Sequence, residues 1–198
     1  MDVVKLIAAA IALSWAVPAC ADPADRWRPL VAESAARFRL PEAWVLRVLR
    51  AESGGRTHVR GRPIRSRKGA IGLMQLMPGT WAEMRRLHRL GDDPDDPRDN
   101  ILAGAAYLRT MYDRFGYPGL FAAYNAGPAR YARHLETGRP LPGETIGYLS
   151  TVAGVAPGGI ATRQQSSVVG DSEVPPEVPA WRTLFLPLST RRNTAEDE

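Results

Sequence analysis

Cysteine is almost missing from this chain. Its 198 residues hold one, Cys20. If the chain is cleaved after Ala21, the mature protein has none, needs no disulfide and must draw its stability from a packed core. Histidine is scarce too, and His58, His88 and His134 have no metal-ligand spacing. There is no G-x-S-x-G, no phosphate-binding loop and no nucleic-acid-binding motif. The acids at 92–96 are interrupted by Pro94 and lack the calcium-loop pattern. No strand-like alternation of any length precedes residue 156, and no internal repeat is visible. Residues 53–82 contain neither Asp nor Glu.

What is present begins with charge. The formal net charge is +5 and the pI about 9.8, which favours anionic partners without choosing among them. The N-terminus is more decisive. Met1–Lys5 carries one Lys, Leu6–Val17 is an uncharged apolar run, and Ala19-Cys20-Ala21 precedes the polar Asp22-Pro23. A short apolar run ending in A-x-A reads as a secretory signal peptide over residues 1–21, so the protein is expected to be exported to the periplasm. An uncleaved anchor and a lipid on Cys20 remain open alternatives, although Pro18 is atypical of a lipoprotein cleavage box.

From Asp25 the pattern is helical. Asp25–Phe38 places Trp27, Leu30, Val31 and Ala35 near one face, and Pro41 opens a second helix that ends at Gly54-Gly55. Residues 55–68 read as a basic loop. Thr80-Trp81-Ala82-Glu83 reads as a capping box starting a helix that stops at Gly91. The Asp92–Pro97 segment is a turn and helix start. The next helix runs to about Phe115 with Gly116 as its stop, followed by short helices over 118–126, 129–137 and 145–155. The expected fold is an all-α single domain of short helices over residues 22–156. Residues 157–198 are rich in Pro, Gly and Ser and read as a disordered tail, with Trp181–Leu188 as an apolar island.

Glu52 falls on the apolar stripe of the second helix, three residues past Leu49 and four past Val48. A Glu at a helix end is usually solvated. A carboxyl pressed among apolar groups instead loses solvation and holds its proton near neutral pH, as a general acid requires. Three further islands decide between these readings: Gly69-Ala70-Ile71-Gly72-Leu73-Met74-Gln75-Leu76-Met77-Pro78, Ala123-Tyr124-Asn125-Ala126-Gly127, and Tyr148 in the last helix. Over about residues 26–156 the chain resembles the soluble lytic transglycosylase family of the lysozyme-like superfamily, in the order and spacing of these islands and in the near-verbatim GLMQLMP and AYNAG.

The resemblance implies a lysozyme-like (goose-type) α fold and Glu52 as the catalytic residue. It further implies that Ser66 lies near the acid, that Gln75 lies in the glycan cleft, that Tyr124 and Asn125 contact sugar and that the Tyr148 hydroxyl points at Glu52. Met74 either walls the cleft or is an ordinary core residue. Glu144 matches a recurrent acid read as structural. Gly69, Gly72 and Gly127 are read as serving turns or close packing. Most glycosidases use two carboxylates, and the empty stretch 53–82 makes this chain a one-carboxylate enzyme. The implied reaction protonates the linking oxygen between N-acetylmuramic acid and N-acetylglucosamine and closes the muramyl C6 hydroxyl on C1, giving a 1,6-anhydro sugar. No cofactor or metal is called for.

One departure stands out. The segment from Glu52 to Ser66 is longer than in compact family members, and Arg56, Arg60, Arg62, Arg65, Arg67 and Lys68 make it basic. It is either a solvated loop or a clamp for acidic groups of the substrate. Two rival functions share the site: a goose-type lysozyme-like hydrolase and a non-catalytic glycan-binding scaffold. The expected partner is the peptidoglycan glycan strand, met by a monomer without nucleic acid. Size and tail also suggest local wall opening for an envelope secretion or conjugation complex, docked through the tail.

Overall fold

A computed structural model describes residues 22–154. The leader, Cys20, the tail and its apolar island lie outside the described residues.

Prolines and left-handed caps punctuate the helices. A 3-10 turn at Asp25–Trp27 leads into α1 (Arg28–Phe38). Pro41, extended at φ −60° and ψ 129°, caps α2 (Glu42–Ser53), which ends on left-handed Gly54. α3 spans Pro78–His88, α4 Pro97–Ala126, α5 Pro128–Thr137 and α6 Gly143–Ala153. Pro stands in the first turn of α1, α3, α4 and α5, where its fixed φ suits the helix and its missing N–H would have had no partner.

Three local expectations need correction. The capping box at Thr80–Glu83 does not form: Pro78 starts α3 two residues earlier, with extended Met77 before it, so Thr80 is already helical. α3 also stops at His88 rather than Gly91. Arg89 takes the left-handed conformation at φ 53° and Leu90 N bonds back to Arg85 O at 2.9 Å. Phe38-Arg39-Leu40 closes α1 in the same way, with Leu40 N on Ala35 O. In both, an apolar residue just past the turn packs on the core, and that contact offsets the strain of a left-handed Arg. Finally, the basic loop holds a small antiparallel hairpin, β1 (His58–Val59) with β2 (Arg62–Pro63). Its turn is Arg60-Gly61, both at positive φ (52° and 74°), the geometry favoured for two-residue hairpins.

α4 is the element against which α1, α3, α5 and α6 pack. Its first half buries Asn100–Ala106, Leu108 and Met111 and its second half Gly119–Tyr124. Gly116 (φ 64°, ψ −170°) and extended Tyr117 break it where the sequence places the stop. The rest of the core comes from Val45, Val48 and Leu49 of α2, Leu73, Met74 and Leu76 of the following loop, and Leu149 and Val152 of α6. Among the described residues no helix is long and apolar enough to cross a membrane.

Candidate active site

Glu52 sits in the last turn of α2, one turn past the buried Val48 and Leu49. The helix exit is pinned: Arg26 Nη2 and Trp27 Nε1 both donate to Gly55 O, at 2.7 and 2.9 Å, and Ser53 Oγ accepts from Gly55 N. Burial pushes the Glu52 carboxyl up to about 7; a hydrogen-bonding pull from Tyr148 works against this, and the Glu144 charge adds to it. At neutral pH the group is therefore divided between acid and carboxylate.

Two tyrosines stand over it. The Tyr148 hydroxyl is buried and has no hydrogen bond of ordinary geometry among the described residues, so it faces Glu52 as an uncommitted donor. Burial, then the Glu52 charge, lifts its own pKa well above the usual range, so it stays protonated. Tyr124 is shifted upward for the same two reasons, but its hydroxyl is occupied: it donates to Met74 O at 2.8 Å. It therefore braces the loop, and its ring lies 5.2 Å from that of Tyr107.

The loop of the Gly-Leu-Met-Gln island is closed by a reciprocal pair, Ile71 N to Leu76 O at 2.8 Å and Leu76 N to Ile71 O at 3.1 Å. Asn100 holds it from α4. Its Oδ1 accepts from Met74 N at 2.8 Å, and its Nδ2 donates to Pro94 O and Ile71 O at 3.0 and 3.3 Å. Gly72 lies so close that a Cβ would meet Asn100 Nδ2 at 2.3 Å, so any side chain there would displace the anchor. Met74 is fully buried against Gly104. It is a core residue and cannot wall a cleft; its backbone, not its thioether, serves the site. Gln75 is the partly exposed residue of the turn, left-handed at φ 46°, with Nε2 donating to Gly72 O at 2.8 Å. Its side-chain carbonyl is left to accept from a ligand.

Asn125, at the end of α4, accepts from Thr145 Oγ1 at 2.8 Å, so its side chain is aimed by a buried residue of α6. Ser66 is exposed. Its Oγ accepts from Ala70 N at 2.9 Å and shapes the turn, and no hydrogen bond joins it to Glu52 among the described residues. The sequence reading missed Asn100 and Thr145. Asn100 had a signal, being the polar residue that opens the apolar run Ile101–Ala106; Thr145 had none.

The basic segment divides in two. Arg65 is engaged, both guanidinium nitrogens on Asp95 at 2.6 Å, and Lys68 Nζ lies 3.9 Å from Glu144 Oε2. Arg65 is thus a brace between the loop and the start of α4, not a free clamp residue. A separate pocket of about 460 Å³ opens between α1 and α2, lined by Ala43, Leu46, Arg47 and Arg50 among others. Those positions fall on the face of α2 opposite Glu52.

Residues 29–143 match the family described as Transglycosylase SLT domain. The soluble lytic murein transglycosylase of Escherichia coli (strain K12) is 37% identical over 98 residues, 46% of this chain and 14% of that protein. The membrane-bound lytic murein transglycosylase C of Yersinia pestis (strain Pestoides F) is 32% identical over 115 residues, 55% of this chain and 30% of that protein. The chain thus spans less than a third of either relative. A solved complex of the 70-kDa soluble lytic transglycosylase with bulgecin A superposes with a TM-score of 0.56 at 28% identity, over 68% of this chain and 26% of that one.

Proposed function

The chain belongs to the transglycosylase SLT domain family, and from that premise we propose that it cleaves peptidoglycan glycan strands with Glu52 as its one acid and base. The observation that carries this reading is the Glu52 carboxyl itself: raised to about 7 by burial at the end of α2, and faced by the uncommitted Tyr148 hydroxyl. A carboxyl of that pKa can hold a proton for the leaving oxygen and then, as carboxylate, take one back. Tyr148 supplies the donor that steadies the carboxylate half of the cycle.

In the proposed reaction, Glu52 protonates the glycosidic oxygen between N-acetylmuramic acid and N-acetylglucosamine. The substrate's own N-acetyl oxygen stabilises the cation at the anomeric carbon. Glu52 then accepts the C6 hydroxyl proton as that oxygen closes on C1, and the product is a 1,6-anhydro sugar. Gln75 and Asn125 offer amide groups to the sugar acetamides, and Tyr124 holds the floor. The work is done outside the inner membrane, on the reading of residues 1–21 as an export signal. Local wall opening for a secretion or conjugation complex would use the apolar island Trp181–Leu188 as its docking segment.

A hydrolytic reading has one observation of its own. Glu144 is a second carboxylate whose charge Glu52 feels, and an inverting hydrolase would use such a group to activate water. Against it, Glu144 is three-quarters exposed and engaged by Lys68. Mass spectrometry of fragments released from purified sacculi separates the two. The expected products are one water lighter than reducing fragments and absent with Glu52→Gln. Reducing ends would move the assignment to hydrolysis. No release by either form would leave a glycan-binding scaffold.

A further inference from the structure

The hairpin carries cations that nothing in the fold uses. Arg60 stands at its tip, Arg62 in β2, and Arg67 in the turn between Ser66 and Gly69; all are exposed, and none has an ion pair among the described residues. Their neighbours have carboxylates opposite them. Arg65 is bonded twice to Asp95, and Lys68 faces Glu144. The fold therefore supplies carboxylates for two of the five cations of residues 60–68 and leaves three pointing at solvent.

The frame beneath them is rigid. Ile64 N bonds to Thr57 O at 2.9 Å and Gly72 N to Ile64 O at 3.3 Å, so the hairpin is stitched to the loop that carries Gln75. Arg65 pairs with Ile71 in the same ladder. Its position is fixed from the other side as well. Lys68 reaches Glu144 at the start of α6, one turn before Tyr148, and Glu52 feels the Glu144 charge. The backbone that carries the three free guanidinium groups is therefore tied to the Gln75 loop and, through Lys68, to the helix of Tyr148. Planar guanidinium forks on a stiff support suit carboxylates, which they can bind through two parallel hydrogen bonds.

We propose that Arg60, Arg62 and Arg67 form an anion subsite on the rim of the cleft that grips carboxylates of acidic peptides attached to the glycan, selecting peptide-bearing strands over bare ones. This rests on the glycan-cleaving function proposed above and names the class of strand it takes. A flat anionic surface is the less suitable partner, because Asp93, Asp95 and Glu144 stand against the neighbouring cations Arg65 and Lys68 and would be repelled by it.

The test is binding, read apart from cleavage. The full chain carrying Glu52→Gln is compared with the same chain carrying Arg60→Gln, Arg62→Gln and Arg67→Gln as well. Co-sedimentation is measured on intact sacculi, on sacculi stripped of peptides by an amidase, and on phosphatidylglycerol vesicles. Removing three exposed charge pairs should weaken binding to intact sacculi about tenfold and leave binding to stripped sacculi unchanged. Arg→Lys at the same three positions should restore part of the loss. An equal loss on both kinds of sacculi, no loss on either, or an equal loss on vesicles overturns the subsite. A chain with Glu52 intact that binds peptide-bearing sacculi selectively yet releases no anhydro product counts against the enzyme and not against the subsite.

Discussion

The hydroxyl of Tyr148 is buried facing the carboxyl of Glu52 and has no hydrogen bond of ordinary geometry among the described residues. It stays protonated, because burial and the Glu52 charge both raise its pKa. With its proton in place it can donate to the Glu52 carboxylate, which favours that form and draws its pKa down against burial.

Tyr148→Phe should consequently raise the Glu52 pKa above its present value of about 7. The pH–rate profile for glycan release should shift to higher pH, and the maximal rate should fall by roughly 10- to 100-fold, the worth of a hydrogen bond to a charged group. A profile that stayed in place while the rate fell would make Tyr148 a packing residue instead.

Burying Glu52 also leaves a signature in stability. Its folded pKa of about 7 lies above the unfolded value of 4.5, so between these pH values the folded protein holds a proton that the unfolded chain has lost. Stability contributed by this group is present below the lower value and is lost as pH rises to the upper one. The loss has an upper bound of about 3 kcal/mol. Glu52→Gln is neutral throughout and should gain on the parent by several degrees in Tm between pH 4.5 and 8, while abolishing glycan release. A Tm difference that did not change with pH would contradict the burial of the carboxyl.

Asn100 should matter as much to the fold as any apolar residue. Asn100→Ala leaves Met74 N and Pro94 O without their partner and Ile71 O with Leu76 N alone, and should destabilise by about 2–4 kcal/mol in denaturant unfolding. Gly72→Ala should act through the same contact, since its Cβ would sit on Asn100. Both variants should lose glycan binding, because Gln75 rides on this loop. Asn100→Ala with parental stability would show that the loop is held by its neighbours alone.

Part of this site could be read from the chain and part could not. Glu52 was accessible because a carboxyl on an apolar stripe is a local pattern, whereas Gln75 and Tyr148 were accessible only through the family resemblance of their islands. The break at Gly116 was likewise local. The hairpin over 58–63 was not, because Arg60-Gly61 lacks the Asn-Gly signal and each strand is too short to alternate. Met74 and Tyr124 could not be resolved either. Whether a side chain faces a cleft or a core depends on α4, which lies 26 residues or more away along the chain for the Asn100 and Tyr124 contacts. Arg65 looked like a free cation because Asp95, its partner, stands 30 residues downstream.

Glu144 offers the last prediction, because it is reachable by both mutation and salt. Its charge raises the Glu52 pKa, yet its side chain is 76% exposed and its only ion pair among the described residues, to Lys68, is long at 3.9 Å. A charge acting from an exposed position is screened by ions, with a Debye length of about 3 Å at 1 M salt. Glu144→Gln should therefore lower the Glu52 pKa and move the pH optimum for release to lower pH. In the parent, 1 M salt should move the optimum in the same direction; in Glu144→Gln, salt should leave it nearly fixed. If Glu144 instead activates water, Glu144→Gln would remove most of the activity at every pH. A shifted optimum with activity retained therefore supports a reaction run by Glu52 alone.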